Sequence, residues 1–267
     1  MKPISKIYTF LVFAILYIPI IVLVLFSFNS SSNTGSFSQP SLYWYRELFS
    51  SPETFTALKN TLVLAITSAI VSTVIGTAAV VGIEKMRNKA IKGSILSITN
   101  IPMMNPEIVT GISMMLLFVF VGGIIGTEEK LGFHTILIAH ITFCLPYVIL
   151  SVRPRVLSYS HSLTEAAMDL GCTPVQAFFK VELPNIMPGI VSGFIMAFTL
   201  SLDDFVISYF TTGNDFQTLP LLIYSMTKKE VKPDIYALSA LMIAAVLILL
   251  ILSNIADSKG HRGEAKK

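Results

Sequence analysis

Long apolar runs separated by short polar stretches dominate this chain. Six of them, about 7–28, 60–83, 95–125, 134–152, 188–209 and 235–256, approach or exceed the roughly 20 residues an α-helix needs to cross about 30 Å of hydrocarbon. Lipid offers no hydrogen bonds to the backbone, so each N–H and C=O in such a run must be satisfied within the protein, and continuous runs predict helices. The pattern therefore predicts an all-α polytopic membrane protein of six transmembrane helices, one domain over 1–267, with a first span, a core at about 57–256 and a tail at 257–267. Lys2 and Lys6 precede the first run. That run is longer than the usual ~7–15 residue signal-peptide core, and no Ala-x-Ala site follows it, so it is expected to stay as a helix.

The polar stretches carry their own patterns. The serine-rich FNSSSNTGSFSQ reads as a flexible external connector, and SLYWYRELFSSPETFTALKN sets Tyr43, Trp44 and Tyr45 beside charges as a short helix at the outer interface. Between spans four and five, a loop at about 153–187 contains the stretch EAAMDLGCTPVQAFFKVELPNIMPG, residues 165–189. Ser162 or Thr164 can cap a helix with Glu165 in its first turn, and Gly171 suits a left-handed end. Thr173 and Pro174 then start a second helix, with Val175, Phe178 and Phe179 to one side, Pro184 ending it and Pro188 opening span five. Two short helices of this kind suit packing on the chain's own spans or insertion into a partner's groove.

Composition and charge narrow the function. The chain is 53% apolar and 13% charged, about half the charge of an average soluble domain. Thirteen of the nineteen Lys and Arg residues fall in the N-terminus, 84–94, 153–187 and the tail, which places both termini in the cytoplasm. The same bias accounts for the net charge of +3 without a nucleic-acid surface. GxxxxGK[ST], HExxH and GxSxG are all absent. His134, His140 and His161 share no helical face with carboxylates and read as end-caps or packed residues, and the two cysteines imply no disulfide or metal framework.

Within the spans the ionisable charges are acidic: Glu107, Asp203 and Asp204. A buried carboxylate costs at least a few kcal/mol in lipid and so faces a partner, a cavity or a pathway. Counting along continuous helices places Glu107 about 20 Å and Asp204 about 24 Å from the cytoplasmic ends, in the outer half. Pro102 and Pro106 can bend span three. Ser201, Asp204 and Ser208 share one helical face, Asp203 lies on an adjoining one, and Asn100, Met104, Glu107, Gly111 and Met114 form a stripe on span three. Such a lining suits amine groups on flexible methylenes and repels anions. The alternative is local satisfaction: hydrated or capping aspartates and a protonated or structurally paired Glu107.

Glu165, Ala166, Ala167, Gly171, Val181, Leu183 and Pro184 follow the pattern EAA, three residues, G, nine residues, an aliphatic residue, any residue, LP. This resembles the EAA motif of permease subunits of binding-protein-dependent ABC importers, with Val181 where that family often has isoleucine. SLDDFVISYFTTG, LPLLIYSM and IPMMNPEIVTGIS resemble the spermidine/putrescine permeases. The resemblance implies a non-catalytic subunit of a bacterial inner membrane that imports polyamines by alternating access. It also implies a second, distinct permease subunit, two cytoplasmic ATPase subunits that hold ATP and Mg, and an external polyamine-binding protein. No cofactor is expected on this chain. Glu165, Ala166, Ala167, Gly171, Phe178, Leu183 and Pro184 are expected to couple to the ATPase, and Glu107, Asp203, Asp204, Ser201 and Ser208 to line the substrate route. The other readings are a permease for another small cationic or neutral solute and a membrane scaffold or channel without an ATPase.

Overall fold

In the computed structural model, which describes residues 3–31, 36–126, 131–213, 216–228 and 234–264, the described chain is helical apart from one antiparallel bridge between Asn29 and Pro40. The helices are α1 (Pro3–Ser27), α2 (Tyr43–Ser50), α3 (Pro52–Glu84), α4 (Lys89–Met104), α5 (Glu107–Ile125) and α6 (Phe133–Ser158). They continue as α7 (His161–Asp169), α8 (Pro174–Ala177), a π-helical turn (Phe178–Glu182), α9 (Leu183–Asp203), α10 (Val206–Thr211), α11 (Leu219–Lys228) and α12 (Asp234–Glu264). Among the described residues, five stretches are long and apolar enough to cross a membrane: Lys6–Ser27, Pro52–Glu84, Glu107–Ile124, Phe133–Ser158 and Pro174–Asp203. Asp234–Leu249 is a shorter apolar helix in the place of the sixth. This is the all-α polytopic architecture the pattern predicts.

The differences from expectation have local causes. Span three is not continuous, because Asn105 takes an extended backbone (φ −79°, ψ 139°) between α4 and α5. The ring of Pro106 disfavours a helical residue before it, so the chain breaks there, whereas Pro102 is accommodated inside α4. Glu107 is consequently the first residue of α5, and the predicted face from Asn100 to Met114 is cut at its middle. Span five stops at Asp203, with Asp204 extended (ψ 126°), and restarts as α10. Pro184 does not end a helix: backbone helicity runs from Pro174 to Asp203, Pro184 lies in the first turn of α9 and Pro188 lies inside it. Because the helix is continuous through it, Pro184 removes one N–H from the ladder, and the π turn just before it, closed by the Leu183 N–H on the Phe178 carbonyl, takes up the change of register.

The serine-rich connector is pinned rather than loose at both flanks. Asn29 Oδ1 accepts the Ser38 N–H at 2.9 Å, its Nδ2 donates to the Ser36 carbonyl at 2.7 Å, and Ser30 N–H donates to the Gln39 carbonyl at 2.9 Å. Residues 32–35 of that stretch lie outside the described residues. The interface helix exists as α2. α12 continues helically through 257–264, where a tail was expected.

The chain divides into two units, one formed by the segments up to Lys59 and from Thr218 to Leu247, the other by Asn60–Gln217 and the segment from Ile248. In the first, Leu48, Ala57, Leu219, Leu222 and Leu238 form a small core. Ser27 Oγ and Tyr45 Oη lie 2.7 Å apart. From Lys6 to Phe26, α1 has no buried residue.

The second unit has a larger core built on α6, with Phe143, Val148, Ile149, Val152 and Val156 packed with Ile186 and Ala197 of α9. Small residues permit this closeness. A Cβ on Gly76 would meet Val148 Cγ1 at 2.7 Å, and one on Gly189 would meet Arg155 Cγ at 2.7 Å and the Ser151 carbonyl oxygen at 3.1 Å. Without a hydrophobic force between helices in lipid, such close backbone approach supplies much of the association.

Candidate functional site

The segment after α6 is built by turn chemistry that its sequence supplies. Tyr159 Oη lies 2.7 Å from Thr164 Oγ1, joining the end of α6 to α7. α7 begins at His161 with Ser160 before it, one turn earlier than a Ser162 or Thr164 cap would start it, so Glu165 lies mid-helix and exposed. The side chain of His161 lies outside the described residues. Gly171 has φ +94°, the left-handed conformation that terminates the helix, with its N–H on the Met168 carbonyl and the Cys172 N–H on the Ala167 carbonyl. Thr173 then caps α8 reciprocally with Gln176, and Pro174 takes the first helical position.

This construction leaves an apolar face outside. Ala177 is buried beneath it, Phe178 and Leu183 are half-buried, and Ala167 is half-buried. Glu165, Ala166, Gly171 and Pro184 are exposed. Leu170 keeps 88% of its surface exposed, Val175 65% and Phe179 60%. Leu170 at the end of α7, Val175 in α8 and Phe179 in the π turn, three large apolar side chains exposed within one short segment, form a candidate docking surface.

The predicted carboxylates lie far from this segment. The twenty-one residues of α9 separate them, about 30 Å at 1.5 Å per residue. Asp203, the last residue of α9, is exposed, and so is Glu107 at the start of α5. The charges of Glu107 and Asp204 both bear on Asp203, and that of Glu107 also bears on Tyr147 of α6. Tyr147 stands edge-on to Phe143, with ring centroids 5.6 Å apart. Two exposed carboxylates thus stand at the breaks in spans three and five.

Asp204, Ser201 and Ser208 do share a face, as their spacing predicts, but it is turned inward onto His140. All four residues are buried. His140 Nδ1 lies 2.7 Å from Ser201 Oγ, and Nε2 lies 3.0 Å from Ser208 Oγ and 3.4 Å from Asp204 Oδ2. Ser68 of α3 donates to Ser201 Oγ at 2.9 Å. Asp204 also accepts the N–H groups of Ile207 at 3.3 Å and Ser208 at 2.8 Å, acting as the cap that restarts the chain as α10. This arrangement matches local satisfaction for Asp204 and makes His140 the centre of a network that spacing within one helix did not reveal. The sequence signal was indirect: a lone imidazole in an apolar run and a hydroxyl-carboxyl face at i, i+3, i+7 each need a buried partner.

The stripe expected on span three is dispersed. Met104 and Asn100 are exposed on α4, whereas Gly111 is buried on α5, where a Cβ would meet the Phe210 ring at 2.9 Å. Gly111 is a packing position rather than part of a lining. Among the described residues, no group of His, Cys, Asp or Glu is arranged to hold a metal ion.

Comparison with known proteins adds a family match, two relatives and two similar structures. Residues 73–258 match the family described as binding-protein-dependent transport system inner membrane component. The chain is 41% identical over 238 residues to the putrescine transport system permease protein PotI of Escherichia coli K12, covering 89% of this chain and 84% of that protein. It is 37% identical over 254 residues to the spermidine/putrescine transport system permease protein PotC of Haemophilus influenzae, covering 95% and 96%. In structure it is similar to a bacterial ABC transporter involved in the import of alginate, with TM-score 0.73, 17% identity, and 97% and 94% of the two chains covered. It is also similar to the MetNI methionine ABC transporter, with TM-score 0.58, 21% identity, and 79% and 96% covered.

Proposed function

The chain belongs to the family of binding-protein-dependent transport system inner membrane components, and on that premise we propose that it forms one half of the transmembrane path of a polyamine importer. Membership makes it a multi-pass transport component rather than a catalyst. The observation that carries the substrate class is the exposure of two carboxylates, Glu107 at the start of α5 and Asp203 at the end of α9, each at a helix break. Separated carboxylates pair with ammonium groups, and an aromatic edge and apolar flanks accept the methylenes between them. The relatives named for putrescine and spermidine transport support the same class. Held exposed rather than locked in ion pairs, these carboxylates suit weak, transient binding, which a conduction path requires for release as well as entry.

The other parts follow from the placement of the α7–α8 segment. With both termini in the cytoplasm, as the Lys and Arg bias favours, the face of Leu170, Val175 and Phe179 points to the cytoplasm and docks on an ATPase subunit that carries ATP and Mg. Glu165, Ala166, Ala167 and Gly171 shape that face, and Phe178, Leu183 and Pro184 join it to α9. A second permease subunit completes the path, two ATPase subunits drive it, and an external binding protein delivers the polyamine. The test is ATP-dependent uptake of labelled spermidine and putrescine by proteoliposomes holding all of these components, against a neutral solute of similar size. Saturable polyamine uptake that falls about tenfold or more in Glu107→Gln and Asp203→Asn, with assembly unchanged, is the expected result. Equal uptake of the neutral solute, or normal polyamine uptake in both variants, overturns the substrate class.

A further inference from the structure

At the end of the bundle opposite Glu107, two adjacent residues of opposite charge tie four segments together. Glu84 closes α3, and its carboxylate accepts Lys92 Nζ of α4 at 2.5 Å through Oε2 and Arg153 Nε of α6 at 2.9 Å through Oε1. Lys85 follows it, with Nζ 3.2 Å from Glu182 Oε2 and 5.7 Å from the centre of the Phe178 ring. Phe178 and Glu182 are the first and last residues of the π turn, so the Lys85 amine holds that turn at both ends. Glu182 is 2% exposed, and its second oxygen, Oε1, has no hydrogen-bond partner among the described residues.

A buried, half-paired carboxylate is costly to keep, and a position that could hold an apolar side chain keeps one here. The π turn that carries it is a wide helical register with a tighter α-helical alternative. Closing it would turn the docking segment about its own axis by about 100° per residue gained and draw Glu182 away from Lys85. An α-helical register is thus a second arrangement open to the pair and the turn, and an element with two arrangements is what transmission between distant sites requires.

We propose that the Lys85–Glu182 pair is the joint that carries movement of the α7–α8 segment into the helices lining the substrate route, a step that rests on the docking role proposed above. Phe179, exposed for docking, is next to Phe178, and their rings meet edge-on at 5.1 Å. Displacement of the docking face thus reaches Lys85 through Phe178 and Glu182. Glu84, one residue away, passes it to α4 and α6 through its two pairs. α4 ends about 24 Å further on, at the break that places Glu107, and α6 carries Tyr147 and His140. Lys85 and Glu182 are positioning residues: they touch neither substrate nor nucleotide.

The test reads the far end of α4 directly. In a chain with Cys144 and Cys172 replaced by alanine, Met104→Cys places a thiol where the native side chain is 86% exposed. The assembled transporter in nanodiscs is treated with a maleimide reagent, with and without ATP and vanadate to trap the closed ATPase pair. The expected result is a severalfold change in labelling rate on trapping with Lys85 and Glu182 in place. In Glu182→Gln or Lys85→Met that change is lost while ATPase copurification persists, and in the exchanged pair Lys85→Glu with Glu182→Lys it returns. Lys85→Arg, which keeps the charge, retains it. An undiminished response in both neutral variants overturns the joint, and so does an exchanged pair no more responsive than the single variants. No polyamine enters this measurement, so an error in the substrate class leaves its outcome unchanged. Loss of ATPase copurification from the otherwise unaltered transporter would instead sink the docking role itself.

Discussion

Asp203 and Asp204 are neighbours in sequence and occupy opposite environments: the first is exposed at the end of α9, the second is buried against His140. The end of α9 between them separates a carboxylate free to meet a cation from one committed to the fold. Replacing each by its amide should therefore have different effects. Asp203→Asn should lower polyamine uptake with little change in thermal stability. Asp204→Asn should lower stability by about 1.5–3 kcal/mol, the worth of hydrogen bonds to a charged group, and cut the amount of assembled transporter. Thermal unfolding in detergent beside uptake per assembled complex checks the split.

His140 should be the least replaceable residue of the buried network. His140→Leu leaves Ser201 and Ser208 without their ring partner and Asp204 with only the Ser208 hydroxyl and backbone N–H groups as donors. Loss of one member of a buried pair costs about 3–5 kcal/mol, enough to deplete the protein from membranes. His140→Asn, shorter but polar, should lose less. Immunoblotting of membrane fractions and the melting temperature of the purified variants would rank the two.

Three glycines should separate by the firmness of what they face. A methyl at Gly189 meets a backbone oxygen at 3.1 Å as well as the Arg155 stem, whereas at Gly193 the nearest atoms lie at 3.4 Å and beyond. Gly76 faces Val148 Cγ1 at 2.7 Å. Alanine at Gly76 or Gly189 should destabilise by about 1–3 kcal/mol, the usual cost of overpacking, and alanine at Gly193 by less. A common melting temperature for the three variants would contradict this ranking.

Damage to the docking face should spare substrate choice. Phe179→Asp or Leu170→Asp puts a charge where an apolar side chain stands 60% or 88% exposed, so the fold tolerates it while a hydrophobic partner does not. Copurifying ATPase should fall at least tenfold, with melting temperature unchanged. Retained copurification in both would count against this face.

The parts of this arrangement that depend on local chemistry were legible in the sequence. Gly171, Thr173 and Pro174 write the helix–turn–helix before α9 because left-handed glycine, capping threonine and leading proline act within a few residues of themselves. The apolar runs revealed the spans for the same reason. Prolines were ambiguous because their effect depends on position within a helix: Pro106 broke span three, whereas Pro184 lies in a first turn and Pro102 and Pro188 lie within helices. His140 is packed, as expected, but its partners stayed hidden because they come from the end of α9, the break after it and α10, and helical spacing within one segment does not report which helix lies opposite. Glu84 and Glu182 were hidden likewise, since each pairs with a cation on another segment.

The openness of α1 has a consequence for the history of such chains. No buried position between Lys6 and Phe26 depends on this helix, and the family match begins only at residue 73. A stretch with no buried side chain can change its residues without disturbing a packed interior. Sequence drift along it is limited by length and lipid solubility rather than by shape, so α1 is expected to diverge fastest among orthologues while keeping its span.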